Sequence, residues 1–325
     1  MCDLYIIGNG FDRAHNLKTS YWDFRCYLNQ YAQEFLIDLE KMYGIFPIDE
    51  DDWRIQDHLK EIKEKREERI GKILWRNFEK DLANIDEDAI LGFSSSIVES
   101  LDLESGLVGI EDTLNDYWEE QYCFIQKLQD YLYKWVRQIR LSKAKPKRST
   151  MINNSEDFFL TFNYTNTLER VYHAKPANIV HIHGGLPPYC AIRPIIGHGE
   201  RKKIETNRQL AEDASNHFDE AATSIYGAIA DYYTRTFKNT TRCIYNNQSF
   251  FSKLSSIDTV YVIGHSLGSV DYPYFDVVNR HVPKTAHWIV YYHSDEERGS
   301  FAKSLEEIGI PTSQYDIEHS SEFWK

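Results

Sequence analysis

Short, continuous apolar runs recur along the chain at 4–7, 158–162, 179–182, 192–196, 259–263 and 288–292. A strand covered on both faces reads this way, because both sets of alternating side chains are buried. Stretches with helical spacing lie between the runs. This alternation predicts an α/β fold, Rossmann-like, with a mostly parallel sheet of about six strands.

Two long segments interrupt the alternation, at about 31–149 and 200–253, and both read as helical insertions. In the first, Leu114, Trp118, Ile125, Leu128, Leu132, Trp135 and Ile139 follow steps of four and three, with the missing step at Gln121. That spacing predicts one face of a long helix. The stretch 57–69 is almost entirely charged, with Leu59 and Ile62 as its apolar points, and predicts a solvated helix laced by (i, i+4) ion pairs. Lys143-Ala144-Lys145-Pro146-Lys147-Arg148 reads as a solvated basic linker, with a partner or nucleic-acid contact as the alternative. The expected organisation is a single α/β domain over 1–325 carrying the two insertions.

Charge and cysteine content narrow the function classes. The formal net charge is −13, which disfavours bulk nucleic-acid binding, since a phosphate backbone selects basic surfaces. The 22 Tyr, 17 Phe and 7 Trp support a packed core. The cysteines, Cys2, Cys26, Cys123, Cys190 and Cys243, are odd in number and form no C-x-x-C pair. Neither a cysteine zinc site nor a disulfide framework is expected, and a reducing cytoplasm fits. No basic region precedes the first apolar run, so no signal peptide is expected. No run approaches the roughly 18 apolar residues of a membrane span.

The polar residues of interest follow the apolar runs. Gly8-Asn9-Gly10-Phe11-Asp12 comes directly after the first, where glycines permit a tight turn and close approach of an anion to backbone N–H groups. Arg13 stands where a full G-x-G-x-x-G would have its last glycine, so a plain strand-to-helix turn remains an alternative. Thr161-Phe162-Asn163-Tyr164-Thr165-Asn166 ends the second run. Asn163 is suited to orient a hydroxyl or a water, or to cap a turn, and Asn166 fits an N-cap. His181-Ile182-His183-Gly184-Gly185 ends the third. Alternation puts both histidines on one side of a strand, as core residues, a general base at His183, or two metal ligands without an evident third. Gly197-His198-Gly199 is a further polar loop.

Gly264-His265-Ser266-Leu267-Gly268 admits two readings. As a nucleophile elbow it raises Ser266 for attack, with Asp276, His287, Asp295 and His319 available as acid and base, and His183-Gly184-Gly185 as an oxyanion loop. The elbow needs a helix at once, however, and Pro273 breaks a helix beyond its first turn. As one wall of a nucleotide crevice it joins the other loops at the carboxyl ends of parallel strands, and every motif then has a role.

Taken in order, Gly8-Asn9-Gly10-Phe11-Asp12, Thr19-Ser20-Tyr21-Trp22-Asp23-Phe24, Phe162-Asn163-Tyr164-Thr165-Asn166, His181-Ile182-His183-Gly184 and Ile263-Gly264-His265-Ser266-Leu267-Gly268 with Asp271 resemble the bacteriophage abortive-infection AbiH family. That family is in turn distantly similar to the sirtuins. The matching positions are Gly8 and Gly10, Asp23-Phe24-Arg25, Asn163, His183-Gly184, and Gly264 with Ser266. Thr165 stands where sirtuins carry an aspartate, and the sirtuin zinc-binding cysteine pairs are absent.

The resemblance therefore implies NAD consumption rather than protein deacylation, with NAD as substrate and no metal. It implies catalytic roles for His183 and Asn163 at the nicotinamide ribose. It places Gly8, Asn9, Gly10, Gly264 and Ser266 around the dinucleotide, Asp12 and Arg25 near the phosphates or the ribose, and Asp271 on a ribose hydroxyl. The implied activity is NAD+ glycohydrolysis to nicotinamide and ADP-ribose in antiphage defence. A nucleotide-binding sensor and a Ser266 esterase are the alternatives. The insertions are the expected place for homo-oligomer contacts or for sensing a phage-derived trigger or partner protein.

Overall fold

The computed structural model describes residues 2–88, 90–91, 114–119, 123–147 and 156–325. Two compact units emerge, each assembled from separated stretches of chain. The first comprises Met1–Ser20, Leu132–Ile195 and Asn239–Lys325; the second comprises Tyr21–Tyr131 and Ile196–Lys238.

The first unit holds one parallel sheet of six strands: β1 (Asp3–Ile7), β2 (Phe158–Thr161), β3 (Ile179–His181), β4 (Thr259–Ile263), β5 (His287–Tyr292) and β6 (Tyr315–His319). Their spatial order is β3-β2-β1-β4-β5-β6, the doubly wound arrangement in which the chain reverses direction beside β1. Ile7 pairs with Thr161 on one side and Ile263 on the other, so the loops after β1, β2 and β4 leave the sheet at one level.

The continuous apolar runs have their expected cause. Leu4, Ile6, Leu160, Val260, Val262, Trp288 and Val290 face one core. Tyr5, Ile7, Phe159, Ile263 and Tyr291 face a second core on the other side of the sheet. Burying each such side chain contributes about 1.5–3 kcal/mol, so both faces resist polar substitution.

Two strand expectations need correction. The run at 192–196 is not a strand. Pro194 has no N–H for a ladder, and the segment folds back on the turn after β3 instead: Gly185 N–H donates to Ile192 O (2.9 Å) and Ile195 N–H to His183 O (2.8 Å). Conversely, the apolar pattern does not predict β6, whose Asp316 and Glu318 interrupt its hydrophobicity. Among the described residues it is an edge strand paired with β5 alone, and none of its residues is fully buried.

The second unit is helical. Helix Leu59–Ile70 carries the charged stretch, and Lys65–Glu61 (2.6 Å) and Lys60–Glu64 (3.9 Å) form the expected (i, i+4) pairs. Helices Arg201–Asn216 and Glu220–Arg235 pack along each other. Trp75 stacks on Phe78 with centroids 4.5 Å apart. Glu40 is buried between Arg25, which donates from Nε at 2.7 Å and from Nη2 at 3.2 Å, and the Trp75 indole N–H at 2.9 Å.

The spacing from Leu114 to Ile139 does not make one long helix. Helical residues at 114–119 are followed by a 3-10 segment at Cys123–Lys127 and an α-helix at Leu128–Val136. Leu114, Trp118, Ile125, Leu128, Leu132 and Trp135 are nonetheless all buried. The step at Gln121 and the linker's Arg148 lie outside the described residues. Among the described residues no helix is long and apolar enough to cross a membrane, and none of the five cysteines forms a disulfide.

Candidate functional site

The loops after β1 and β4 meet backbone to backbone. Gly8 N–H donates to Ile263 O (2.9 Å), Gly10 N–H to Gly264 O (2.8 Å), and Phe11 N–H to Gly8 O (3.0 Å). A Cβ on Gly8 would lie 2.5 Å from Gly264 O; one on Gly264, whose φ is +65°, would lie 2.3 Å from Phe11 N. Glycine is thus required by the contact of the two loops as well as by the left-handed backbone at Gly264. The N–H groups of Gly10 and Phe11 are satisfied within the chain, so they are not free donors for a phosphate. Asn9 begins the short helix Asn9–Ala14, half-buried, and its amide makes no hydrogen bond among the described residues.

The loop after β2 ties into the same place. Asn163 Nδ2–H donates to Gly8 O (3.1 Å), and its side chain also bonds to Asp12. Asp12 is buried and accepts from the Thr165 hydroxyl (2.6 Å) and the Thr167 hydroxyl (2.8 Å). Burial raises its pKa to about 6, against the opposing pull of the two threonines, Asn163 and the nearby His181. Asp12 therefore knots the β1 and β2 loops together and presents neither oxygen outward. Asn163 likewise turns its amide nitrogen inward, leaving Oδ1 as the group it can offer a ligand.

Beyond these loops lies a cluster of two histidines and one acid. His183 Nε2 stands 3.5 Å from Asp271 Oδ1, and His265 Nε2 stands 3.3 Å from Asp271 Oδ2. The Phe162 ring lies edge-on to both imidazoles, with centroids 5.1 Å from His183 and 4.3 Å from His265. Tyr274 packs on His183 at 5.3 Å and Phe275 on His265 at 5.0 Å. A carboxylate held between imidazoles among aromatic walls is a place where proton transfer is supported and water is restricted.

Asp271 owes its position to the chain that follows the β4 loop. A 3-10 turn, Ser269–Asp271, leads into helix Tyr272–His281, with Pro273 in that helix's first turn. Proline is tolerated there because the first N–H groups have no intrahelical partner.

The two histidines of the β3 motif separate. The strand stops at His181, and Gly184 with φ +76° turns the chain. His181 Nδ1–H donates to Asn163 O (3.1 Å), and its Nε2 meets Glu169 Oε1 at 2.7 Å. Both of its ring nitrogens are thus committed inside the unit, while His183 faces Asp271. They do not form a two-histidine metal site.

The serine of the β4 motif points the other way from its neighbour. His265 is buried and Ser266 exposed. Ser266 makes no side-chain hydrogen bond to a histidine among the described residues. Helix Tyr272–His281 begins only after a further turn, so the geometry of a nucleophile elbow is absent. Of the acid–base candidates, His287 starts β5 level with Thr259, at the amino ends of the strands, and pairs with Asp316 at 2.8 Å.

Of the sequence candidates, Gly8, Asn9, Gly10, Asp12, Asn163, His183, Gly264, Ser266 and Asp271 all belong to the first unit. Arg25 belongs to the second, where it is held by Glu40 and stacks over Trp22 at 5.0 Å. His198 is in that unit too. It is fully buried, donates from Nε2 to Tyr233 O (3.0 Å) and accepts at Nδ1 from Glu200 N–H (3.1 Å). Burial lowers its pKa to about 4, keeping it neutral. The residues that sequence reasoning passed over are His265, Phe162 and Tyr274. A histidine beside Gly264 and a few residues before Asp271 was the available signal for the first.

Fold and site together define a doubly wound α/β protein with a buried histidine–carboxylate cluster at the carboxyl ends of its strands. The chain matches the family model described as bacteriophage abortive infection AbiH over residues 4–292, and it belongs to that family. The family suggests a role in abortive infection by phage. No curated protein and no solved structure matches the chain.

Proposed function

We propose that this AbiH-family protein is an NAD+ glycohydrolase that releases nicotinamide and ADP-ribose. The observation that carries the reading is the His183–Asp271 approach at 3.5 Å, set beside Asn163 where the strand order reverses. Ligands of open parallel sheets bind at that reversal. The distant sirtuin resemblance of the same loops supports NAD as the ligand.

In this reading the C1′–N bond of the nicotinamide riboside breaks, and nicotinamide leaves neutral with the bonding electrons. Positive charge builds on the ribose. A water adds at C1′ and gives its proton to the His183 imidazole, oriented by Asp271. General-base help of this kind contributes about 10²–10⁴-fold. Asn163 Oδ1 accepts from a ribose hydroxyl or from the attacking water. The knot of Asp12, Thr165 and Thr167 holds the Asn163 loop in place. Asn9 and Ser266, both with side chains available, contact the rest of the dinucleotide. In an infected cell, such turnover depletes NAD and stops growth before phage are released.

The test is nicotinamide release from NAD by purified protein, followed by chromatography. Release by the wild type, abolished per folded molecule in His183→Ala and Asn163→Ala, supports the reading. Tight NAD or ADP-ribose binding without release would make the protein a nucleotide-binding sensor. Covalent labelling of Ser266 by a fluorophosphonate would make it an esterase.

A further inference from the structure

His265 has no role in the reaction as drawn, yet its placement is tightly specified. Leu267 N–H donates to His265 Nδ1 at 2.9 Å. A backbone N–H can only donate, so Nδ1 accepts and the neutral ring carries its proton on Nε2. That nitrogen stands 3.3 Å from Asp271 Oδ2.

The bond to Nδ1 depends on an unusual backbone. Leu267 has φ +51° and Gly264 +65°, so left-handed residues stand on both sides of His265-Ser266. A left-handed leucine costs on the order of 1–3 kcal/mol, and the chain sustains it by burying the Leu267 side chain in the main core. Ser304 donates from its hydroxyl to Leu267 O (3.3 Å), bracing the same turn. The ring itself is wedged between Phe162 and Phe275. Strain, core packing and two hydrogen bonds therefore converge on the direction of one imidazole N–H.

We infer that His265 is a positioning residue: its Nε2–H holds one oxygen of Asp271 and thereby turns the other toward His183. It touches neither substrate nor reacting atoms and acts through Asp271 alone. Its kinetic consequence rests on the glycohydrolase reading; its spectroscopic consequence does not.

The test uses the full chain with ¹⁵N-labelled histidine. His265→Gln keeps an N–H donor at a similar reach, whereas His265→Met has similar bulk and no donor. The His183 ring-nitrogen resonances of His265→Met should move from the wild-type positions toward those of Asp271→Asn, and those of His265→Gln should return. Nicotinamide release should fall roughly ten- to hundred-fold in kcat in His265→Met, as for a misplaced catalytic group, with KM little changed and His265→Gln largely restored. The His265→Met/Asp271→Asn double variant should be no slower than Asp271→Asn, since both changes break one chain of contacts.

Unchanged His183 resonances in folded His265→Met overturn the inference, as do losses that multiply in the double variant. Should His265→Met fail to fold, the wild-type spectrum decides: a His265 ring protonated on Nδ1 rather than Nε2 overturns it. Absence of nicotinamide release from the wild type removes the glycohydrolase reading and leaves the ring-nitrogen test intact.

Discussion

Two buried histidine–carboxylate pairs sit side by side in this sequence, and they are built differently. His181 and Glu169 meet at 2.7 Å with side chains 3% and 2% exposed. The other nitrogen of His181 is fixed on Asn163 O, so the pair is closed and holds a β-strand end to the helix after β2. His183 and Asp271 approach only to 3.5 Å, and the Asp271 side chain remains 13% exposed. The first pair has the geometry of a strut. The second has slack, a route to solvent and a second imidazole on the far side of the acid. A short contact to an imidazole fixed at both nitrogens marks a structural pair; the looser pair is the one to which the proposed reaction gives proton transfer.

Substitutions should pull these roles apart. His183→Ala is expected to lower nicotinamide release per folded molecule by about 10²–10⁴-fold, the dominant effect of that substitution. His181→Ala should do the reverse. It leaves Glu169 buried without its partner, which costs about 3–5 kcal/mol of stability, while the rate per folded molecule stays within several-fold.

A third carboxylate, Asp12, sharpens the contrast by its pH dependence. Its pKa is raised from 3.8 to about 6 by burial. The stability it contributes is therefore complete below about pH 3.8 and is lost as pH rises through about 6. The loss amounts to roughly 3 kcal/mol. Urea melts of wild type and Asp12→Asn between pH 4 and 7.5 should show the variant lacking this part of the slope. Parallel profiles would mean that Asp12 keeps an ordinary carboxylate pKa despite its burial.

The smallest effect belongs to Ser266. Ser266 is exposed and has no hydrogen-bonded base among the described residues, so Ser266→Ala should raise KM for NAD by only a few-fold and leave kcat unchanged. A loss of kcat on the scale of His183→Ala would return Ser266 to the chemistry.

The sheet was readable because strands buried on both faces have no polar side to hide them. Its two departures have one cause each. An edge strand need not be apolar, so β6 escapes the pattern. An apolar run containing Pro194 need not be a strand, so 192–196 imitates one. The candidate site was readable in part. Asn163 and His183 follow strand ends, where the polar loops of a parallel sheet gather, whereas Asp271 enters only through the family resemblance.

Their partners were not readable, because they come from loops that meet only in the folded chain. Asp12 reads as a phosphate-side residue until Thr165 and Thr167 close over it. His265 was eclipsed by Ser266, because which of two adjacent side chains points inward depends on left-handed turns at Gly264 and Leu267. A positive φ at leucine is not written in residue type.

The most direct test of the account sets the two neighbouring histidines against each other in one assay. Nicotinamide release from NAD is measured for wild type, His181→Ala and His183→Ala, each rate divided by the folded fraction. The His183 glycohydrolase assignment requires release by the wild type, near-normal specific release by the folded fraction of His181→Ala, and almost none by the folded fraction of His183→Ala. Equal release by His183→Ala and wild type, or release lost equally in both variants, would contradict it.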